Sequence, residues 1–92
     1  MENAELEKLR KEIDAADAEI LAALARRMVT SRAIGAYKRA TGIALFDQNR
    51  WQELLQSRIS EAEKKGLAVE FVEKLYSLIH EESVAEQSKV QS

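Results

Sequence analysis

Apolar side chains recur along the N-terminal part of the chain at the spacing of one helix face. Leu6, Leu9, Ile13, Ala16, Ile20, Ala23, Leu24 and Ile34 fall on one side at about 100° per residue. The pattern predicts a helix from Ala4 to about Ala40, with no proline and only Gly35 to weaken it. Arg27, Ser31 and Lys38 lie on the same face, near its centre. An unpaired cation is costly to bury, so a partner normally compensates it. Two cations on a seam that should be buried point to a cavity holding an anion. The expected ligand is a small, multiply negative molecule.

Two further stretches repeat the helical period. Trp51, Leu54, Leu55, Ile59 and Ala62 predict a helix from about Asp47 to Lys64, with Asp47 as N-cap after the short connection Ile43-Ala44-Leu45-Phe46. Phe71, Val72, Leu75, Leu78 and Ile79 predict a third helix from about Glu70 to Gln87 or slightly beyond. Ser83 continues its Val72–Tyr76–Ile79 stripe and Gln87 lies one turn on, so polar residues interrupt this stripe too. Gly42 and Gly66 each follow a basic stretch, which is a helix C-terminus signal. The last residues, about Lys89 to Ser92, are expected to fray.

The expected fold is all-α: one very long N-terminal helix and two shorter ones. A helix of roughly 36 residues is about 54 Å long, whereas a compact domain of this size has a radius of gyration of about 12 Å. The outer half of the first helix must bury its apolar face elsewhere, or the helix must break. Thr30-Ser31 is its weakest point, yet Thr and Ser cost only fractions of a kcal/mol in a helix. The reading is an intertwined helical homodimer rather than a kinked monomer.

Composition narrows the chemistry. Ninety-two residues make one domain, with 46% hydrophobic residues for a core and 33% charged residues for a surface. No apolar run reaches the roughly 18 residues of a membrane span. The acidic, helical N-terminus lacks the layout of a signal peptide. Cysteine is absent, which excludes disulfides and thiolate metal sites and agrees with a cytoplasmic location. A net charge of −2 argues against nucleic-acid binding through a broad basic face. The one histidine, His80, leaves no zinc-ligand spacing and reads as a surface or boundary residue, which argues against Ser-His-Asp chemistry. There is no Gly-rich phosphate loop. Trp51 reads as core.

Arg10, Arg27, Lys38, Arg50, Ser83 and Gln87 remain. The planar fork of arginine suits a carboxylate, lysine is a compact point charge, and glutamine donates through a neutral amide. Each also has a plainer reading. Arg10 could pair with Asp14 four residues on. Arg50 could be a first-turn surface arginine. Arg27 and Lys38 could form internal salt bridges with another helix. Pattern alone leaves these open.

These residues carry a family resemblance. Leu9-Arg10-Lys11-Glu12-Ile13-Asp14-Ala15-Ala16-Asp17, Leu24-Ala25-Arg26-Arg27-Met28, Ile34-Gly35-Ala36-Tyr37-Lys38, Asp47-Gln48-Asn49-Arg50 and Ile79 to Gln87 follow in order with spacing intact. Together they resemble the all-helical (AroQ) class of chorismate mutases over nearly the whole chain. The resemblance implies a single domain over residues 1–92 and a homodimer with shared active sites. The substrate would be the chorismate dianion, rearranged to prephenate in phenylalanine and tyrosine biosynthesis without cofactor, metal or covalent intermediate. By resemblance, Arg27 binds a carboxylate in its own subunit and Arg10 reaches across the dimer to the partner's site. Arg50 assists in carboxylate binding, and Ser83 contacts a carboxylate. Lys38 and Gln87 hydrogen-bond the ether oxygen, and Asp47 lies near the ring hydroxyl. Lys38, Gln87 and Arg27 are the catalytic set. One position departs from the pattern. Many members carry glutamate immediately after the second-helix arginine, where this chain has Trp51. Glu53 cannot replace it, because two residues turn a helix by about 200°. Competing readings are an isochorismate pyruvate-lyase on the same fold, or a prephenate-sensing domain of a fused aromatic-biosynthesis enzyme.

Overall fold

The computed structural model describes residues 3–91, and these form three helices without a strand. They are α1 (Ala4–Thr41), α2 (Gln48–Lys64) and α3 (Val69–Lys89). Each boundary has a local cause. Asn3 caps α1 by accepting from the Leu6 N–H at 3.1 Å. Gly42 ends it in the left-handed region at φ 74°, a conformation that costs glycine little, with its N–H on the Lys38 carbonyl. Asp47 caps α2 as expected, accepting from the Arg50 N–H at 3.0 Å. Gly66, at φ 73°, makes the turn into α3.

α1 does not break. Thr30 stays helical, its hydroxyl donating to the Arg26 carbonyl at 2.9 Å. The helix therefore outgrows the rest of the chain. The extents are 61 × 25 × 15 Å and the radius of gyration is 17.2 Å, against about 12 Å for a compact chain of this length.

α3 is the central element, packing against both α1 and α2, which make no close backbone approach to one another. Side-chain pairs ascend together from Arg27–Ser83 through Arg32–Glu86 to Arg39–Val90, so α1 and α3 run in the same sense where they meet. Trp51 meets His80 and Arg58 meets Tyr76, so α2 and α3 run in opposite senses. The α2 stripe faces inward as the periodicity predicts: Leu54 and Ala62 are buried, and Trp51, Leu55 and Ile59 are half-buried. The α3 stripe splits. Val72 is buried and Ile79 half-buried, while Phe71, Leu75 and Leu78 are exposed.

The α1 seam differs most from expectation. Its buried residues are Ser31 and Gly35, not its leucines. Leu6 is 42% exposed and Ile13 62%, and every described residue up to Ala23 is exposed. Among the described residues, only the C-terminal half of the helix has a neighbour from another helix. The end of the chain also differs. Lys89 is still helical, and Val90 and Gln91 are half-buried, with Gln91 Nε2 donating to the Gly35 carbonyl at 3.2 Å. These residues dock on α1 instead of fraying; Ser92 lies outside the described residues. No helix among the described residues is long and apolar enough to cross a membrane.

Candidate active site

Three short helical faces converge on one cavity of about 350 Å³. α1 supplies Arg27, Ser31, Ile34 and Lys38, a spacing of four, three and four residues that keeps all of them on one face. The N-terminal turns of α2 supply Asp47, Arg50, Trp51 and Leu54. α3 supplies His80, Ser83, Val84 and Gln87. The connection between α1 and α2 closes the wall with Leu45 and Phe46. The volume suits a small molecule.

The polar groups have specific partners. Arg27 donates through Nη1 to the buried Ser83 hydroxyl. Lys38 donates through Nζ to the Leu45 carbonyl at 2.6 Å and to Gln87 Oε1 at 3.2 Å. With Oε1 facing the ammonium, the Gln87 amide keeps its Nε2 hydrogens free to donate. No carboxylate among the described residues lies within ion-pair distance of Arg27, Lys38 or Arg50. The internal salt bridges that pattern allowed for Arg27 and Lys38 are absent there. One carboxylate, Asp47, lines the cavity, and it is engaged in capping α2. Burial holds the Arg27 pKa below its usual value, and Arg58 and Arg50 push the same way while Tyr76 opposes them. Three cations and the positive end of α2 thus face one cavity, an arrangement that favours an anion.

Arg10 is the one expected site residue that lies away from this wall. Its exposed guanidinium pairs with Glu7 at 3.1 Å, not with Asp14. Ion pairing between α1 and α3 falls elsewhere, on Arg32 and Glu86 at 2.9 Å, and Lys89 of α3 adds a second cation 3.0 Å from Glu86. The hydrogen bonds from Arg32 and then Lys89 hold the Glu86 carboxyl below the usual carboxylate range.

His80 is half-buried, as its reading as a boundary residue allowed. It lines the cavity, stacked on Trp51 with ring centroids 4.1 Å apart and planes 19° from parallel. Phe46 tilts against it at 5.6 Å. Burial and then nearby Arg27 hold its pKa below the ordinary histidine value. A signal was present in the sequence: His80, Ser83 and Gln87 are spaced three and four residues apart, one face of a helix. Trp51, read as core, is half-buried and forms part of the wall.

The family model of chorismate mutase type II matches residues 9–88. The chain belongs to that family. It is a family of isomerases, and its all-helical class accounts for the three helices found here. The chain is 31% identical over 84 residues to the T-protein of Haemophilus influenzae, covering 91% of this chain and 22% of that protein. It is 32% identical over 80 residues to the T-protein of Enterobacter agglomerans, covering 87% of this chain and 21% of that protein. The chain thus spans about a fifth of the length of these relatives. The matched segment of the family model contains Arg10, Arg27, Lys38, Arg50, Ser83 and Gln87.

Proposed function

We infer that the chain rearranges chorismate to prephenate, with the cavity between α1, α2 and α3 as the active site. The observation that carries this reading is the set of three cations around one cavity, none paired with a carboxylate. A dianionic substrate supplies the missing negative charge. Arg27 and Arg50 take its carboxylates, with the Ser83 hydroxyl beside Arg27. The ether carbon–oxygen bond breaks while a carbon–carbon bond forms in the same molecule, and no proton or leaving group passes to the protein. Holding the substrate in a compact chair is work of proximity and orientation. Lys38 and the Gln87 amide donate to the ether oxygen as negative charge develops on it. Such fixed donors are worth roughly 10²–10³-fold each in rate.

The active form is a homodimer with shared sites, serving phenylalanine and tyrosine biosynthesis. The exposed leucines and isoleucines of the α1 overhang support this, because the described residues of one chain leave them uncovered. In the dimer, Arg10 of a second copy reaches the cavity and adds a cation to carboxylate binding. Asp47 lies beside the ring hydroxyl, and the Trp51–His80 stack walls the site where many relatives carry glutamate.

The test is incubation with chorismate, following loss of its ultraviolet absorbance and identifying the product. Prephenate is expected. Inertness toward chorismate with release of pyruvate from isochorismate would replace the mutase by the lyase. Saturable prephenate binding without turnover would make the chain a sensing domain.

A further inference from the structure

Gly35 is one of two buried residues in α1, and it is not there for backbone freedom. Among the described glycines only Gly42 and Gly66 have positive φ. In a helix interior alanine is more favourable than glycine, so local propensity argues against glycine at this position. The reason lies across the helix interface. A Cβ on Gly35 would stand 2.6 Å from the Gln87 carbonyl oxygen, 2.7 Å from Gln87 Cα and 2.7 Å from Val90 Cγ2. Two of these three atoms are backbone and cannot rotate aside. The Gly35 carbonyl also accepts from Gln91 Nε2 at 3.2 Å, which ties the same crossing from the other side. Three residues along α1, Lys38 Nζ meets Gln87 Oε1 at 3.2 Å. The residue of α3 whose backbone touches Gly35 therefore carries the side chain that meets Lys38.

We propose that Gly35 is a positioning residue: its missing side chain sets the α1–α3 separation at Gln87 and so brings the Gln87 amide to the Lys38 ammonium at the cavity wall. The catalytic consequence rests on the mutase reading; the positioning itself does not. In Gly35→Ala, α3 must retreat by roughly 1 Å to restore ordinary contact near 3.5 Å. A misplacement of that size costs on the order of 10²-fold in rate. The kcat for chorismate should fall about 10–100-fold. KM should change less, because Arg27 lies eight residues along α1 from the contact and Arg50 stands on α2.

An arm without substrate separates this proposal from the mutase reading. In nitrogen-15-labelled protein, Lys38→Met should shift the Gln87 side-chain amide resonance. In the Gly35→Ala background the same replacement should shift it much less. If the parent protein does not turn over chorismate, the mutase reading fails and this arm still decides the positioning. An undiminished Gln87 response in Gly35→Ala overturns the proposal. So does a rise in KM with kcat intact, which would assign Gly35 to substrate entry. Adding Val90→Ala to Gly35→Ala removes the one side-chain contact and should not restore kcat; restoration would show that backbone spacing is not the cause. If the alanine chain fails to fold, the response is read in the Gly35→Ala, Val90→Ala chain, which relieves the side-chain contact and keeps both backbone contacts. A weaker Gln87 response to Lys38→Met is expected there too, and an unweakened one overturns the proposal.

Discussion

At the scale of single residues, two side chains have pH-dependent consequences. Gln87 presents a neutral amide beside Lys38, and a neutral donor can face developing negative charge at any ordinary pH. Gln87→Glu puts a carboxylate there, which repels that charge when ionised and donates when protonated. Its activity should therefore rise steeply as pH falls, while the parent profile stays flat over the same range. A flat pH–kcat profile in the variant would remove Gln87 from the ether-oxygen role. His80 affects stability. Burial and Arg27 lower its folded pKa, so below an ordinary value of about 6.5 the unfolded chain takes up the proton first. Stability from this group is complete above that value and is lost as pH falls through the folded one. His80→Phe keeps a ring against Trp51 and removes the titration. Urea unfolding from pH 8 to 5 should show the parent losing stability relative to the variant below about pH 6.5. Parallel curves would mean that the imidazole is not shielded.

At the scale of elements, Asp47 does two jobs that substitution can separate. Its carboxylate caps α2 through the Arg50 N–H, and it lines the cavity. Asp47→Ala should cost about 1 kcal/mol in urea unfolding, and Asp47→Asn should recover most of that because asparagine caps as well. KM for chorismate is the second measurement. A rise in both variants belongs to the ligand; a rise in the alanine variant alone belongs to the cap. The helices were legible because their signals are local. Asp47 as cap, the basic stretches before Gly42 and Gly66, and the α2 stripe all work within a few residues. The two-sided α3 was not legible. Phe71, Leu75 and Leu78 satisfy the same period as Val72 and Ile79, and periodicity does not say which of two adjacent stripes meets α1 and α2.

At the scale of the whole molecule, the unresolved burden is the α1 overhang. Leu6, Leu9, Ile13 and Ile20 form a stripe that the described residues leave exposed, and Arg10 sits beside it, away from the cavity. The shared-site dimer makes a sharp prediction. Arg10→Ala and Lys38→Ala proteins should each be inactive, and mixing them with subunit exchange should restore part of the activity. One of the two sites in a heterodimer then draws both residues intact. No recovery after exchange is confirmed by mass spectrometry of labelled subunits would sink the shared site.

By itself the sequence determined three helices, their limits to within one or two residues, and which cations interrupt their apolar faces. These follow from propensity, capping and a period of 3.6 residues, which act between near neighbours. Tertiary structure alone decided that Arg27 and Lys38 meet Ser83 and Gln87 rather than carboxylates. It also decided that His80 turns inward onto Trp51, and that Gly35 is where two backbones touch. Those outcomes depend on the rotation and separation of helices distant in sequence. No local signal specifies these, because they are set by the sum of contacts along the whole α1–α3 and α2–α3 interfaces.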